Sequence, residues 1–183
     1  MGFAKTWSEE LVGEWLSLKG YQVTTGVPAG SGVGRISGKP VGGRMEADVV
    51  GAKLIGSILE VQHIEVGTLA DSINNNTKRV EEKFSPRRQQ GVRKFLEQSF
   101  GSGLSLDYNC WYIAVYISQK QLTELPTRLS GIKLQAFDDF ILQEVIPTLK
   151  PFVQQLKTVP EGLWLLGMLS YLQAKKMLVE TRK

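Results

Sequence analysis

Residues Cys110 to Ser118 (CWYIAVYIS) are almost wholly apolar and rich in aromatic and β-branched side chains. A run this short and this apolar reads as a central strand buried on both faces. The elements around it follow from their own spacing. Trp7 to Gly20 reads as a helix. Ser8 is placed to cap it, Glu9 and Glu10 sit in the first turn, and Trp7, Leu11, Val12, Trp15, Leu16 and Leu18 recur at helical spacing before Gly20 stops it. Tyr21 to Thr25 alternates like a short strand. Arg44 to Val50 and Ser57 to Val66 read as two more, joined through Gly51 to Gly56. Lys78 to Gln98 is helical with an interruption at Ser85-Pro86. Lys133 to Ile146 is helical, with Pro147 and Pro151 as breaks or kinks, and Pro160-Glu161 opens a last, strongly apolar helix. The order is helix, strand, loop, strand, strand, helix, strand, helices.

The chain has 183 residues, enough for a real core without covalent staples. Its single cysteine excludes an internal disulfide and a Cys-rich zinc site, and its single histidine excludes HExxH chemistry. Any metal would therefore rest on carboxylates. The longest apolar run, Leu163 to Leu172, is too short to span a bilayer. Met1 to Thr6 fits the short myristoylation pattern without a second anchor, so the expected compartment is the cytoplasm, with no membrane partner.

The formal net charge is +4, and its placement says more than its size. Between Asn76 and Lys94 lie Lys78, Arg79, Lys83, Arg87, Arg88, Arg93 and Lys94 against Glu81 and Glu82, so this stretch carries +5 and the remainder −1. That is the footprint of a phosphate-binding surface, although a solvated helix face reads the same way. Gly26 to Gly43 holds seven of the nineteen glycines and reads as a long loop able to close on a ligand. It is not a phosphate loop, because Gly38-Lys39 is followed by Pro40 and neither GxxxxGK[ST] nor GxGxxG is matched.

The chemistry is expected on the two strands after that loop. If their connection centres on Leu54, residues whose numbers sum to 108 oppose one another, so Asp48 faces Glu60 and Glu46 faces Gln62. Two carboxylates about 5 Å apart at Cβ repel unless a cation lies between them or one is protonated. A hard divalent ion with oxygen ligands is the natural solution. His63 and Glu65 fall on the opposite face, where His63 reads as a structural or surface residue.

Asp48 followed by Glu60-Val61-Gln62 resembles the PD-(D/E)XK signature of the restriction-endonuclease-like nucleases. The approach Gly43-Arg44-Met45-Glu46-Ala47-Asp48-Val49-Val50-Gly51 is similar to archaeal Holliday-junction resolvases, as is Glu9 eleven positions before Gly20. The resemblance covers residues 7 to 118. It implies an α/β fold with a restriction-endonuclease-like αβββαβ core over 1–120, a mixed sheet flanked by helices, and a C-terminal helical extension over 121–183. It implies a Mg²⁺- or Mn²⁺-dependent DNA endonuclease. Asp48, Glu60 and the Val61 carbonyl would ligate the metal, Gln62 would position the attacking water, and Glu9 would complete the site. Which of Glu9 and Glu10 turns inward stays open, and both also suit the helix dipole. Arg44 would clamp the phosphate or pair with Glu46, and the basic residues from Lys78 to Lys94 would hold the backbone of double-stranded or branched DNA, in a homodimer of resolvase type. Gln62 stands where the motif has Lys and carries no charge. A nuclease fold that binds nucleic acid without cutting is therefore the alternative, and an interaction module built on the apolar last helix is a third.

Overall fold

The structure, a computed structural model, describes the backbone over 7–36, 39–154 and 159–174, and side chains over 7–30, 45–152 and 159–174. The Met1 to Thr6 pattern and the side chain of Arg44 lie outside those residues. In chain order the elements are α1 (Trp7–Leu18), β1 (Gln22–Ile36), β2 (Lys39–Ile55), β3 (Ile58–Leu69), α2 (Ile73–Lys83), α3 (Pro86–Phe100) and β4 (Ser105–Ile117). There follow α4 (Gln119–Glu124), a 3-10 turn Leu125–Thr127, β5 (Ile132–Ala136), α5 (Phe137–Phe140), a π-helical turn Ile141–Val145, α6 (Ile146–Gln154) and α7 (Trp164–Ala174).

The protein is α/β, with one mixed sheet in the order β1-β2-β3-β4-β5. The first three strands are antiparallel neighbours, and β3, β4 and β5 run parallel. As the apolar run demands, β4 is internal, with Trp111, Tyr112, Ile113 and Ala114 all buried. Helices cover both faces. On one, α1 and the C-terminal helices enclose Val49, Ile64, Trp111 and Ile113 with Trp15 and Phe140. On the other, Val92 and Leu96 of α3 pack over Val50, Ala52, Leu59 and Val61, while Val80 and Phe84 at α2 pack over Leu69 and Tyr112.

Three expectations are corrected. The glycine-rich stretch is not a loop over its described part. It forms a two-stranded ribbon in which Gly32 pairs with Gly43, Val33 with Gly42 and Gly34 with Val41. Second, the β2–β3 connection is the two-residue turn Gly56-Ser57, with Gly56 at φ 59, a left-handed value that suits glycine. Gly51 to Ile55 therefore continue β2 instead of connecting it. Third, residues 132–136 are not helical but form β5 beside β4, because Ile132, Leu134 and Ala136 alternate onto one face. The stretch from Phe137 to Gln154 stays helical through Pro147 and Pro151. The π turn ends just before Pro147, where widening eases the clash of its ring with the carbonyl four residues earlier. Among the described residues, no helix is long and apolar enough to cross a membrane.

Candidate active site

The turn at Gly56-Ser57 sets a register in which paired residues sum to 113, so Lys53 lies opposite Glu60 and Gly51 opposite Gln62. The expected opposition of Asp48 with Glu60 is not formed. Glu60 and Gln62 share the face of Ile64 that looks toward α1, where Tyr21 Oη–H donates to Glu60 Oε1 at 2.6 Å and Gln62 Nε2 donates to the same atom at 3.0 Å. Val61 points the other way into the core under α3. The expected set of Asp48, Glu60, Val61 and Gln62 is thus divided between two faces.

Glu65 is the carboxylate that joins Asp48. The β2–β3 ladder ends at Val49 with Ile64, and one step further the two carboxylates meet where the strands part. Asp48 Oδ2 accepts a hydrogen bond from the Val66 amide at 3.0 Å, which fixes its side chain in the gap. Lys83, at the end of α2, brings its ammonium onto Glu65 Oε2 and to 3.7 Å from Asp48 Oδ2. The cation anticipated between two carboxylates is, within the chain itself, a lysine. The sequence alone groups this lysine with the DNA-binding surface.

Glu65 is fully buried and bound on both oxygens, its Oε1 being 3.1 Å from His63 Nε2. Since the carboxylate only accepts, the proton belongs on Nε2, leaving Nδ1 to accept from Tyr108 Oη–H at 2.8 Å. Burial alone would raise Glu65. Hydrogen bonds from His63 and Lys83, together with the positive charge of Lys83, outweigh it and hold Glu65 below the ordinary carboxylate range. Asp48 goes the other way. Burial first, then the negative charge of Glu65, push it up to about 7 despite Lys83. Burial also raises the Tyr108 phenol, which therefore stays a neutral donor, and lifts the Cys110 thiol to about 11, so it is no nucleophile at neutral pH.

Sequence reasoning passed over Glu65, but a signal existed. Leu59, Val61, His63, Glu65 and Leu69 share the odd-numbered face of β3, and two polar residues inside an apolar series must be buried and partnered. Of the α1 pair, Glu9 is buried and Glu10 turns out to accept from Trp164 Nε1 at 2.8 Å. Among the basic residues, Lys78, Arg79, Arg87, Arg93 and Lys94 are exposed on α2 and α3. Arg79 donates to the Thr68 carbonyl, Arg88 to the Glu46 carbonyl, and Arg93 lies over the Tyr108 ring. Lys83 is the basic side chain that α2 brings onto the two carboxylates.

Among the described residues, no group of three or more His, Cys, Asp or Glu side chains is arranged to hold a metal ion. No protein-family model, no curated protein and no solved structure matches this chain.

Proposed function

We propose that this protein is a metal-dependent DNA endonuclease of the restriction-endonuclease-like kind, with its centre at Asp48, Glu65 and Lys83. One observation carries the reading: two carboxylates from adjacent strands meet at the end of a ladder with a lysine ammonium against both. Asp, Glu and Lys are the residue types of the motif that the sequence resembles. Here Glu65 replaces Glu60, and the lysine arrives from α2 instead of the strand. The position two after Glu65 is Gly67, where a Cβ would stand 2.8 Å from the Tyr112 hydroxyl. A strand lysine there would first have to displace that tyrosine.

The residues fit a divalent cation. Asp48 and Glu65 are hard oxygen donors, and with both ionised beside the single Lys83 ammonium the group keeps one negative charge. With two carboxylates only, water and substrate oxygens would complete the coordination, as is usual for Mg²⁺. A bound Mg²⁺ or Mn²⁺ would supply Lewis acidity toward the phosphate and a water of lowered pKa. Asp48 and Glu65 would hold the cation, and His63 with Tyr108 fixes the orientation of Glu65. Lys83 sits where a fixed positive charge can orient the attacking water or stabilise the charge growing on the phosphate. The exposed Lys78, Arg79, Arg87, Arg93 and Lys94 would bear on the sugar-phosphate backbone. The non-cutting alternative rested on Gln62, and that residue lies on the other face of the sheet.

The test is cleavage of plasmid, linear and branched DNA with Mg²⁺ or Mn²⁺, beside Asp48→Ala. Cation-dependent cutting that disappears in the variant supports the reading, and the preferred substrate separates a junction resolvase from a restriction-type enzyme. Salt-sensitive DNA binding with no cutting of any substrate would replace it with the binding module.

A further inference from the structure

The face of the sheet turned away from Lys83 carries a second polar site. A cleft of about 530 Å³ opens there beside the end of α1, with Trp15, Lys19 and Tyr21 on one side and Lys133 and Glu144 on the other. Its volume is that of a small-molecule site. Its floor comes from the first halves of β3 and β4, where Glu60 lies beside Asp107 and Gln62 beside Asn109 in the parallel register.

The hydrogen bonds of the floor decide what it can bind. Gln62 spends an amide N–H on Glu60 at 3.0 Å, and Asn109 directs its own to Asp107 at 3.5 Å. A carboxylate only accepts, so each amide turns its NH₂ to the acid and keeps its carbonyl oxygen and a second N–H for other partners. Tyr21 likewise turns its O–H onto Glu60, and its phenol is pushed up to about 12, by burial first and then by Glu60. The floor therefore presents two carboxylates that only accept, beside two amides that each keep a carbonyl oxygen and one N–H, and Trp111, which also lines the cleft, has an Nε1–H with no hydrogen-bond partner. Among the described residues neither Glu60 nor Asp107 has an ion-pair partner.

The lysines nearby are engaged elsewhere. Lys53, cross-strand from Glu60, donates to the Lys19 carbonyl at 3.0 Å. Lys133 lies 3.7 Å from the centre of the Trp111 ring and 3.0 Å from Glu144, and Lys19 lies over the Trp15 ring. An anion entering the cleft would meet the two carboxylates, whereas a donor-rich cation would satisfy them.

We propose that this cleft binds a small organic cation, one bearing an ammonium or guanidinium group, through Glu60 and Asp107. Guanidinium forks match carboxylates bidentately, and an alkylammonium brings three donors to the same oxygens. The site is separate from Asp48 and Glu65, which lie on the opposite face.

The test is an NMR titration of the metal-free protein, following the side-chain amide signals of Gln62 and Asn109. The probes are putrescine, spermidine and arginine amide, with adenosine monophosphate and Mg²⁺ as separate arms. Saturable shifts with at least one amine or guanidine probe are expected, with binding at least about tenfold weaker in Glu60→Gln/Asp107→Asn and unchanged in Asp48→Asn. Asp107 is exposed, so Asp107→Asn alone serves if the double variant loses its native backbone spectrum. No saturation by any of the three cations at millimolar concentration would overturn the proposal. So would equal affinity in the carboxamide variants, or shifts produced only by the nucleotide or only by Mg²⁺. Because the Asp48 variant and the metal-free protein are used, a failure here is distinct from a failure of the nuclease reading.

Discussion

At the scale of single residues, the centre is held under electrostatic tension. Asp48 has its proton affinity raised from 3.8 to about 7, chiefly by burial and then by Glu65. The folded protein thus holds this proton more tightly than the unfolded chain. Between about pH 4 and pH 7 the native state binds more protons, so this residue's contribution to stability falls as pH rises through that window. Asp48→Asn removes the slope. It should abolish cleavage while raising stability at pH 8 by about 1–3 kcal/mol, read from thermal or urea unfolding. Glu65 has the opposite sign, since its affinity is lowered, and what it contributes is lost only at acid pH. Lys83→Met leaves both carboxylates without their cation. It should cost about 2–4 kcal/mol at pH 8 and less at pH 5, where Asp48 takes up a proton. Adding Asp48→Asn to Lys83→Met should recover part of that loss, and a double-mutant cycle measures the coupling.

At the scale of elements, close backbone approaches and one long-range cap set where the helices lie. Gly91 brings α3 onto β1, and a Cβ there would stand 2.4 Å from the Ala29 carbonyl carbon. At Gly51 the nearest atom would be Leu16 Cδ1 at 2.9 Å, the end of a side chain that can turn aside. Gly91→Ala should therefore cost about 2–3 kcal/mol and Gly51→Ala distinctly less, as compared by urea denaturation. Glu14 is another residue whose role only the fold reveals. It accepts from the Leu165 and Leu166 amides at 3.1 and 2.8 Å and so caps α7 from α1. Burial raises its pKa against the opposing effect of those bonds. Glu14→Ala should cost about 1–2 kcal/mol and speed hydrogen exchange along α7 more than along α3.

At the scale of the whole molecule, the layers were legible and the register was not. The apolar run at Cys110 announced an internal strand, the spacing of Trp7 to Leu18 announced α1, and Ser85-Pro86 announced the break between α2 and α3. Alternation assigns faces along a strand but says nothing about which residue of its neighbour lies opposite. That depends on the turn, which the sequence reading centres on Leu54 within Gly51 to Gly56. The turn at Gly56-Ser57 moves the pairing sum by five, an odd number, so Glu60 changes faces as well as partner. Glycine density in β1 and β2 misled for a related reason. Glycine weakens a lone strand, but two glycine-rich strands can pair across one another as a slim ribbon. Lys83 was visible as one charge among seven, and only the ending of α2 over β3 separates it from the rest.

The direct test of the central claim compares two carboxylates on one strand. Glu65→Gln and Glu60→Gln differ by five positions and by the face they occupy. With Mn²⁺ or Mg²⁺ and the substrate cut best by the wild-type protein, Glu65→Gln should lower the cleavage rate by about a hundredfold or more. Glu60→Gln should stay within a few-fold of wild type. A protein that tolerates Glu65→Gln and is silenced by Glu60→Gln would contradict the centre assigned to Asp48, Glu65 and Lys83.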